Sequence, residues 1–203
     1  LGWEKNCGKG SGGSPLGARN AGGTTRTGLF GVKGEGKKFV YVVDRSESMG
    51  EANHNVLKAV KKQLLGSLSR LDKIHQFQII FDNDRPLRFT RSGQLSLLIL
   101  ATEQNKALTA KFVDSILPEV GTEHEKALET AILMGPDVIF LLTDAEKPRL
   151  SAEQLASIQR PARGITIHVI EFGRGPPTDP DNLLEQLARQ NGGRHRYLDV
   201  SSL

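Results

Sequence analysis

Cysteine is almost missing from this chain: one residue, Cys7, in 203. A single thiol excludes an internal disulfide framework and any multi-cysteine zinc or iron–sulfur site, and it does not decide between reducing and oxidising compartments. Long apolar runs are missing too. The longest, Leu95 to Ala101, is broken by Ser96. It falls far short of the roughly 20 residues that a membrane helix needs, so no membrane insertion is expected within this fragment. Aromatic residues make up only 5%, yet 37% hydrophobic and 25% charged residues permit a packed core and argue against global disorder. The length suits one domain with a tail. The chain opens on Leu rather than Met and is read as a fragment, which leaves open a signal peptide or anchor upstream.

What charge excess there is lies at one end. Residues 1–38 carry seven Lys/Arg and two acids, whereas the other 165 carry twenty basic and twenty-one acidic groups. The same first segment holds 12 of the 22 glycines and only scattered large apolar residues. Such a composition offsets little of its ordering entropy, so residues 1–36 are expected to be a flexible, basic, Gly-rich linker and 37–203 the folded domain. Gly31 to Lys37 reads G-V-K-G-E-G-K, which imitates a phosphate loop. Lys38 stands where a hydroxyl should follow, and the glycines precede a strand instead of opening a helix, so the imitation is rejected.

From Phe39 the texture changes. Phe39–Val43 is a short, continuous, β-branched and aromatic run, and similar runs recur at Phe77–Phe81, Val138–Leu142 and Ile165–Ile170, with a weaker one at Tyr197–Val200. Runs of this kind mark strands buried on both faces. Between them lie helical stripes: Val56, Val60, Leu64 and Leu68; Leu108, Phe112 and Ile116; Ala127 with Ala131; Ala152, Leu155 and Ile158; Leu183, Leu184 and Leu187. The last stripe has Asp179 as its expected N-cap, Pro180 at its first position and Gly192 past its end. The alternation predicts a three-layer αβα, doubly wound, mostly parallel sheet. One piece departs: Asp82-Asn83-Asp84 reads as a tight turn before a short antiparallel return strand, Arg85–Phe89, placed at an edge by Pro86. Leu95–Ala101 is left unassigned.

Ligands in open α/β sheets bind beyond the carboxyl ends of the strands. After the first buried strand come Asp44-Arg45-Ser46-Glu47-Ser48-Met49, after the third Thr143-Asp144, and Gly121-Thr122 opens the helix between the second and third. Asp44, Ser46 and Ser48 are spaced by two, which in an extended or looping chain aims one carboxylate and two hydroxyls at one point. Thr122 adds a hydroxyl and Asp144 a carboxylate. These hard oxygens suit magnesium or manganese. Each is equally an ordinary loop or capping residue when taken alone; the combination carries the argument.

This combination resembles the signature of von Willebrand factor A (VWA) domains, whose metal-ion-dependent adhesion site joins D-x-S-x-S to a distant Thr and a distant Asp. The likeness covers about 39–203. The surrounding wording, Lys37-Lys38-Phe39-Val40-Tyr41-Val42-Val43-Asp44-Arg45-Ser46 and His75–Phe81, looks most like bacterial members, which often follow a membrane anchor and a low-complexity linker. The resemblance implies a Rossmann-like fold with Mg2+ or Mn2+ on its upper face. Ser46, Ser48 and Thr122 would bind the metal directly, and Asp44 and Asp144 directly or through waters. A partner protein would supply a Glu or Asp carboxylate to the remaining position. The domain would then be a non-catalytic protein-interaction module, tethered outside the cytoplasm if an anchor lies upstream. Position 47 departs from the pattern, carrying Glu47 where a small residue, commonly Gly, is usual.

The rival reading is a metal-dependent phosphoryl-transfer enzyme or hydrolase, with Asp44 as nucleophile. Haloacid-dehalogenase-like phosphatases carry D-x-D there, and residue 46 is Ser. His54, His75, His124, His168 and His195 are scattered; His168 reads as a core or lining residue, and His124, near Thr122, is only a minor candidate for partner contact. Nucleic-acid binding is not expected, because the basic tail lacks interleaved aromatics beyond Trp3 and Phe30.

Overall fold

The computed structural model describes residues 23–50, 56–83, 86–90, 97–119, 121, 123–144, 150–177 and 182–202. The described chain begins with two short strands, β1 (Thr25–Leu29) and β2 (Val32–Gly36), paired antiparallel. They join through Phe30 and Gly31, both at positive φ, the geometry of two-residue hairpin turns that follow the right-handed strand twist. Glycine takes that conformation freely. Phe30 is held in it by its ring, which stands edge-on against Phe172 at 5.2 Å.

This hairpin corrects the expected boundary, since residues 25–36 were assigned to the linker. Leu29 and Val32 are 1% and 4% exposed and belong to the main core. The reason the hairpin escaped notice lies in its glycines. Along β2 the inward positions are Val32, Gly34 and Gly36, alternating with exposed Lys33 and Glu35, so the period-two pattern is present but two of its inward residues have no side chain. Their smallness is required: a Cβ on Gly34 would sit 2.7 Å from Val138 and 3.1 Å from Phe140, and one on Gly36 2.7 Å from Asp137. Asp137 also accepts the backbone N–H groups of Lys37 and Lys38 through Oδ2 at 2.6 and 3.0 Å, which fixes the step from hairpin to sheet.

The sheet follows the apolar runs. β3 (Lys38–Asp44) pairs in parallel with β4 (Gln76–Asp82) on one side. On its other side lies β7 (Val138–Thr143), followed in parallel by β8 (Thr166–Gly173) and β9 (His195–Asp199). Two short segments, β5 (Leu87–Arg88) and β6 (Ile99–Leu100), pair antiparallel with β4. Among the described residues there are thus two antiparallel additions where one was expected; the second uses part of the unassigned Leu95–Ala101 run. The turn and return strand read at 82–89 are shortened: Asp82 ends β4, the return strand is β5 alone, and Asp84 and Arg85 lie outside the described residues.

Among the described residues, five helices cover the sheet. On one face α1 (Val56–Leu68) and α2 (Glu103–Ser115) share a core with the hairpin. On the other, α3 (His124–Leu133), α4 (Ala152–Gln159) and α5 (Leu183–Gln190) pack on Val40, Val42, Ile139, Leu141, Ile167 and Val169. Central strand residues 39–43 are fully buried, which accounts for their unbroken apolar character. α5 opens at Leu183 behind Asn182, whose side chain accepts the N–H groups of Leu184 and Glu185. That cap replaces the expected Asp179; Asp179 and Pro180 lie outside the described residues. Gly192, at positive φ, follows the helix as expected.

Under the hairpin, Tyr41, Phe140 and His168 occupy matched positions on β3, β7 and β8 and stack side by side, at 5.5 and 5.2 Å between centroids. Thr27 of the hairpin and Tyr41 both reach the Ser67 hydroxyl of α1, at 2.7 and 2.8 Å. His168 is a core residue, as expected from its strand. Its Nδ1 accepts the Arg194 N–H at 3.0 Å, which requires the neutral ring. Burial, helped by the Arg194 charge, pushes its pKa down to about 4.

Two outcomes follow from this packing. Leu29→Ala removes a fully buried side chain and should lower unfolding free energy by about 2–5 kcal/mol, measured by urea denaturation; an unchanged midpoint would show the hairpin to be dispensable. His168 is neutral when folded but binds a proton near pH 6.5 when unfolded. The unfolded chain therefore takes up more protons as pH drops from about 6.5 to 4, and stability should fall across that window. His168→Asn, which keeps an acceptor for Arg194, should show a shallower fall than the native chain; parallel pH curves would contradict the assignment.

Candidate metal centre

The parallel strands run in the spatial order β4-β3-β7-β8-β9, so the chain leaves β3 toward one neighbour and returns on its other side. The crevice between the carboxyl ends of β3 and β7 is the point where this fold class binds ligands. Asp44 ends β3 and Thr143 ends β7. The predicted groups at 44–48 and 143–144 therefore arrive at one place, by strand order alone.

Asp44 is 1% exposed, and each of its oxygens has a protein donor. The Ser46 N–H reaches Oδ1 at 2.8 Å and the Thr143 hydroxyl reaches Oδ2 at 2.9 Å. The first bond is an Asx-type turn that swings the chain off the strand. It leads into a 3-10 turn, Glu47–Gly50, anchored by fully buried Met49. The turn leaves Ser46 and Ser48 half-buried and Glu47 exposed, so alternate side chains share a side, as the spacing predicts. The two serine oxygens lie 3.0 Å apart.

A clamp holds the facing loop. Arg45, 6% exposed, donates to Glu119 Oε2 at 2.7 Å and to the Leu117 carbonyl at 3.4 Å, while the Glu119 N–H returns to the Arg45 carbonyl at 2.9 Å. Asn83 adds a bond to the same Glu119 oxygen at 2.8 Å. This loop leads to Gly121. Thr122 lies outside the described residues, and α3 begins two residues later at His124, behind Glu123.

His124 was only a minor candidate for partner contact. It is 4% exposed and so cannot meet a partner. Its Nδ1 lies 2.7 Å from Asp82 Oδ2 and its Nε2 3.2 Å from the Thr143 hydroxyl. Asp82 stands beside Asp44 in the β3–β4 register and is fully buried. Burial works against a charged His124 ring, but the bond and charge of Asp82, with the charges of Asp44 and Asp144, outweigh it and raise its pKa. Burial raises the Asp44 pKa, against the opposing pull of His124 and the donors from Ser46 and Thr143. Asp144, half-buried, follows Thr143 directly and lies close enough for its charge to act on His124. Asp82 was read only as a turn residue. Aligning the equal apolar runs of β3 and β4 would have set it beside Asp44.

Among the described residues, no three His, Cys, Asp or Glu side chains gather to hold a metal by themselves. The donor set at this crevice is instead hydroxyl and carboxylate oxygen, which fits a hard divalent cation and not a soft one. Neighbouring ligands of an octahedral cation at about 2.1 Å stand about 3.0 Å apart, the separation of the Ser46 and Ser48 oxygens, a distance that also suits a hydroxyl–hydroxyl hydrogen bond.

Sheet order, layers and switch point together are those of the α/β, Rossmann-like VWA fold. Solved structures agree. A von Willebrand factor type A protein from Catenulispora acidiphila superposes with a TM-score of 0.66 at 20% identity, over 82% of this chain and 39% of the other. Proximal thread matrix protein 1 from mussel byssus, with a zinc-occupied MIDAS motif, gives 0.59 at 21% identity over 82% and 42%. Manganese-loaded TRAP protein of Plasmodium vivax gives 0.53 at 17% identity over 81% and 69%. The chain thus spans about two fifths of the first two of these proteins. No family model matches the sequence, and no curated protein matches it at a significant level. Among the described residues no helix is long and apolar enough to cross a membrane.

Proposed function

We propose that this chain is a VWA-type domain that binds a divalent cation, Mg2+ or Mn2+, through Asp44, Ser46, Ser48, Thr122 and Asp144, and uses it to capture an acidic side chain of a partner protein. The observation that carries this reading is the paired hydroxyls of Ser46 and Ser48, 3.0 Å apart, beside an Asp44 carboxylate pinned at the topological switch point. The zinc and manganese in the mussel and Plasmodium structures support a divalent metal in general. A cation held by few protein charges keeps an open position that attracts a carboxylate. A non-catalytic role agrees with Asp44 itself: at 1% exposure, with a donor on each oxygen, it is a poor nucleophile.

Because the folded chain binds the cation and the unfolded one does not, Mg2+ or Mn2+ should stabilise the fold by about 2.7 kcal/mol at a hundred times the dissociation constant. Ser46→Ala and Asp144→Ala should lose most of that gain without unfolding, since neither side chain belongs to the core. Glu47→Gln should change affinity by no more than about twofold, as expected of an exposed side chain. Denaturation with cation and with chelator measures all three. A cation that stabilises the Ser46 and Asp144 variants as well as the native chain would refute the site.

A further inference from the structure

We propose that Asp82, His124 and Thr143 form a buried positioning chain for Asp44, fixing the direction of its second oxygen and thereby setting how tightly the site holds a cation. This rests on the metal-binding reading above and adds three residues that are not among the proposed ligands.

The order of the hydrogen bonds is set by donor chemistry. Thr143 has one hydroxyl hydrogen, and Asp44 Oδ2, 2.9 Å away, only accepts, so that hydrogen points to Asp44. The 3.2 Å contact between Thr143 and His124 Nε2 is then a ring N–H donating to the hydroxyl oxygen. His124 Nδ1 faces Asp82 Oδ2 at 2.7 Å, again an acceptor. Asp82 is therefore the anchor, His124 the bridge, and Thr143 the link that reaches Asp44. Exposure along the chain is 0%, 4%, 0% and 1% for Asp82, His124, Thr143 and Asp44. At that depth a missing link leaves its neighbour's polar group buried without that partner, which is costly.

The four residues come from four elements: β4, α3, β7 and β3. Each is part of the packed frame around the switch point, so turning Asp44 requires moving the frame or breaking a bond. Ser46 N–H holds the other oxygen. With both oxygens held, the carboxylate cannot turn without breaking one of these bonds. Groups that orient metal ligands in this way typically govern affinity by about 10–100-fold.

The test is Mn2+ binding to the full chain, followed by loss of the free-ion paramagnetic resonance signal, alongside metal-free melting temperature. Thr143→Val is close to isosteric and removes the link; it should weaken Mn2+ binding by about 10–100-fold. Thr143→Ser should restore binding to within a few-fold of the native chain. Thr27→Val deletes an equally buried hydroxyl, 1% exposed, from the hairpin; it should lower the melting temperature while leaving Mn2+ affinity unchanged. Asp82→Asn, at a residue outside the proposed ligand set, should weaken binding, and it decides the matter should Thr143→Val fail to fold. Native-like affinity in folded Thr143→Val or in Asp82→Asn would overturn the positioning chain and leave the metal site standing. A native chain that does not bind Mn2+ would overturn both.

Discussion

A carboxylate buried at the end of the central strand is the constraint around which the upper part of this domain is arranged. Asp44 is 1% exposed, and a charge taken that far from water is costly unless hydrogen bonds and opposite charge compensate it. Its donors come from two directions, the Ser46 backbone and the Thr143 hydroxyl. Behind Thr143 stands His124, and behind that Asp82. The tight turn after β3, the first residue of α3 and the last residues of β4 and β7 all contribute to compensating this one group. The same arrangement brings the Ser46 and Ser48 hydroxyls together as a pair. Burial of Asp44 and the pairing of the Ser46 and Ser48 hydroxyls are thus two consequences of one local structure.

The face of the sheet under the hairpin follows a different logic. One face of β7 and β8 is covered by a hairpin, which approaches closely because glycine occupies its inward positions. Gly34 lies over the Tyr41–Phe140–His168 row with no room for a Cβ, and Gly36 lies equally close to Asp137. Polar bonds through Ser67 tie this hairpin to α1 and β3. Glycine here acts as a contact residue: the gain is the neighbour's packing, at some cost in backbone entropy.

These particulars explain what could be read from sequence. The five long strands and five helices announce themselves because buried parallel strands carry unbroken apolar runs and amphipathic helices carry stripes; both signals are local. The spacing of Asp44, Ser46 and Ser48 is local as well, and the turn honours it. The hairpin was hidden because two of the three inward positions of β2 lack side chains, so composition pointed to a linker. The Asp82–His124 pair was hidden because it is a property of register and helix placement, which no single window contains. His124 was weighed only by its nearness to Thr122, whereas the first turn of α3 directs it inward. β6 was hidden because a two-residue strand has no period.

The account turns on one claim: that the oxygens gathered at the β3–β7 crevice hold a divalent cation. Crystals soaked in Mn2+ and measured for its anomalous scattering test this most directly. The account predicts one strong peak at the carboxyl ends of β3 and β7, about 2.1 Å from the side-chain oxygens of both Ser46 and Ser48, with Asp44 and Asp144 within reach directly or through water. A peak elsewhere on the domain, or none at a saturating concentration of Mn2+, would contradict it.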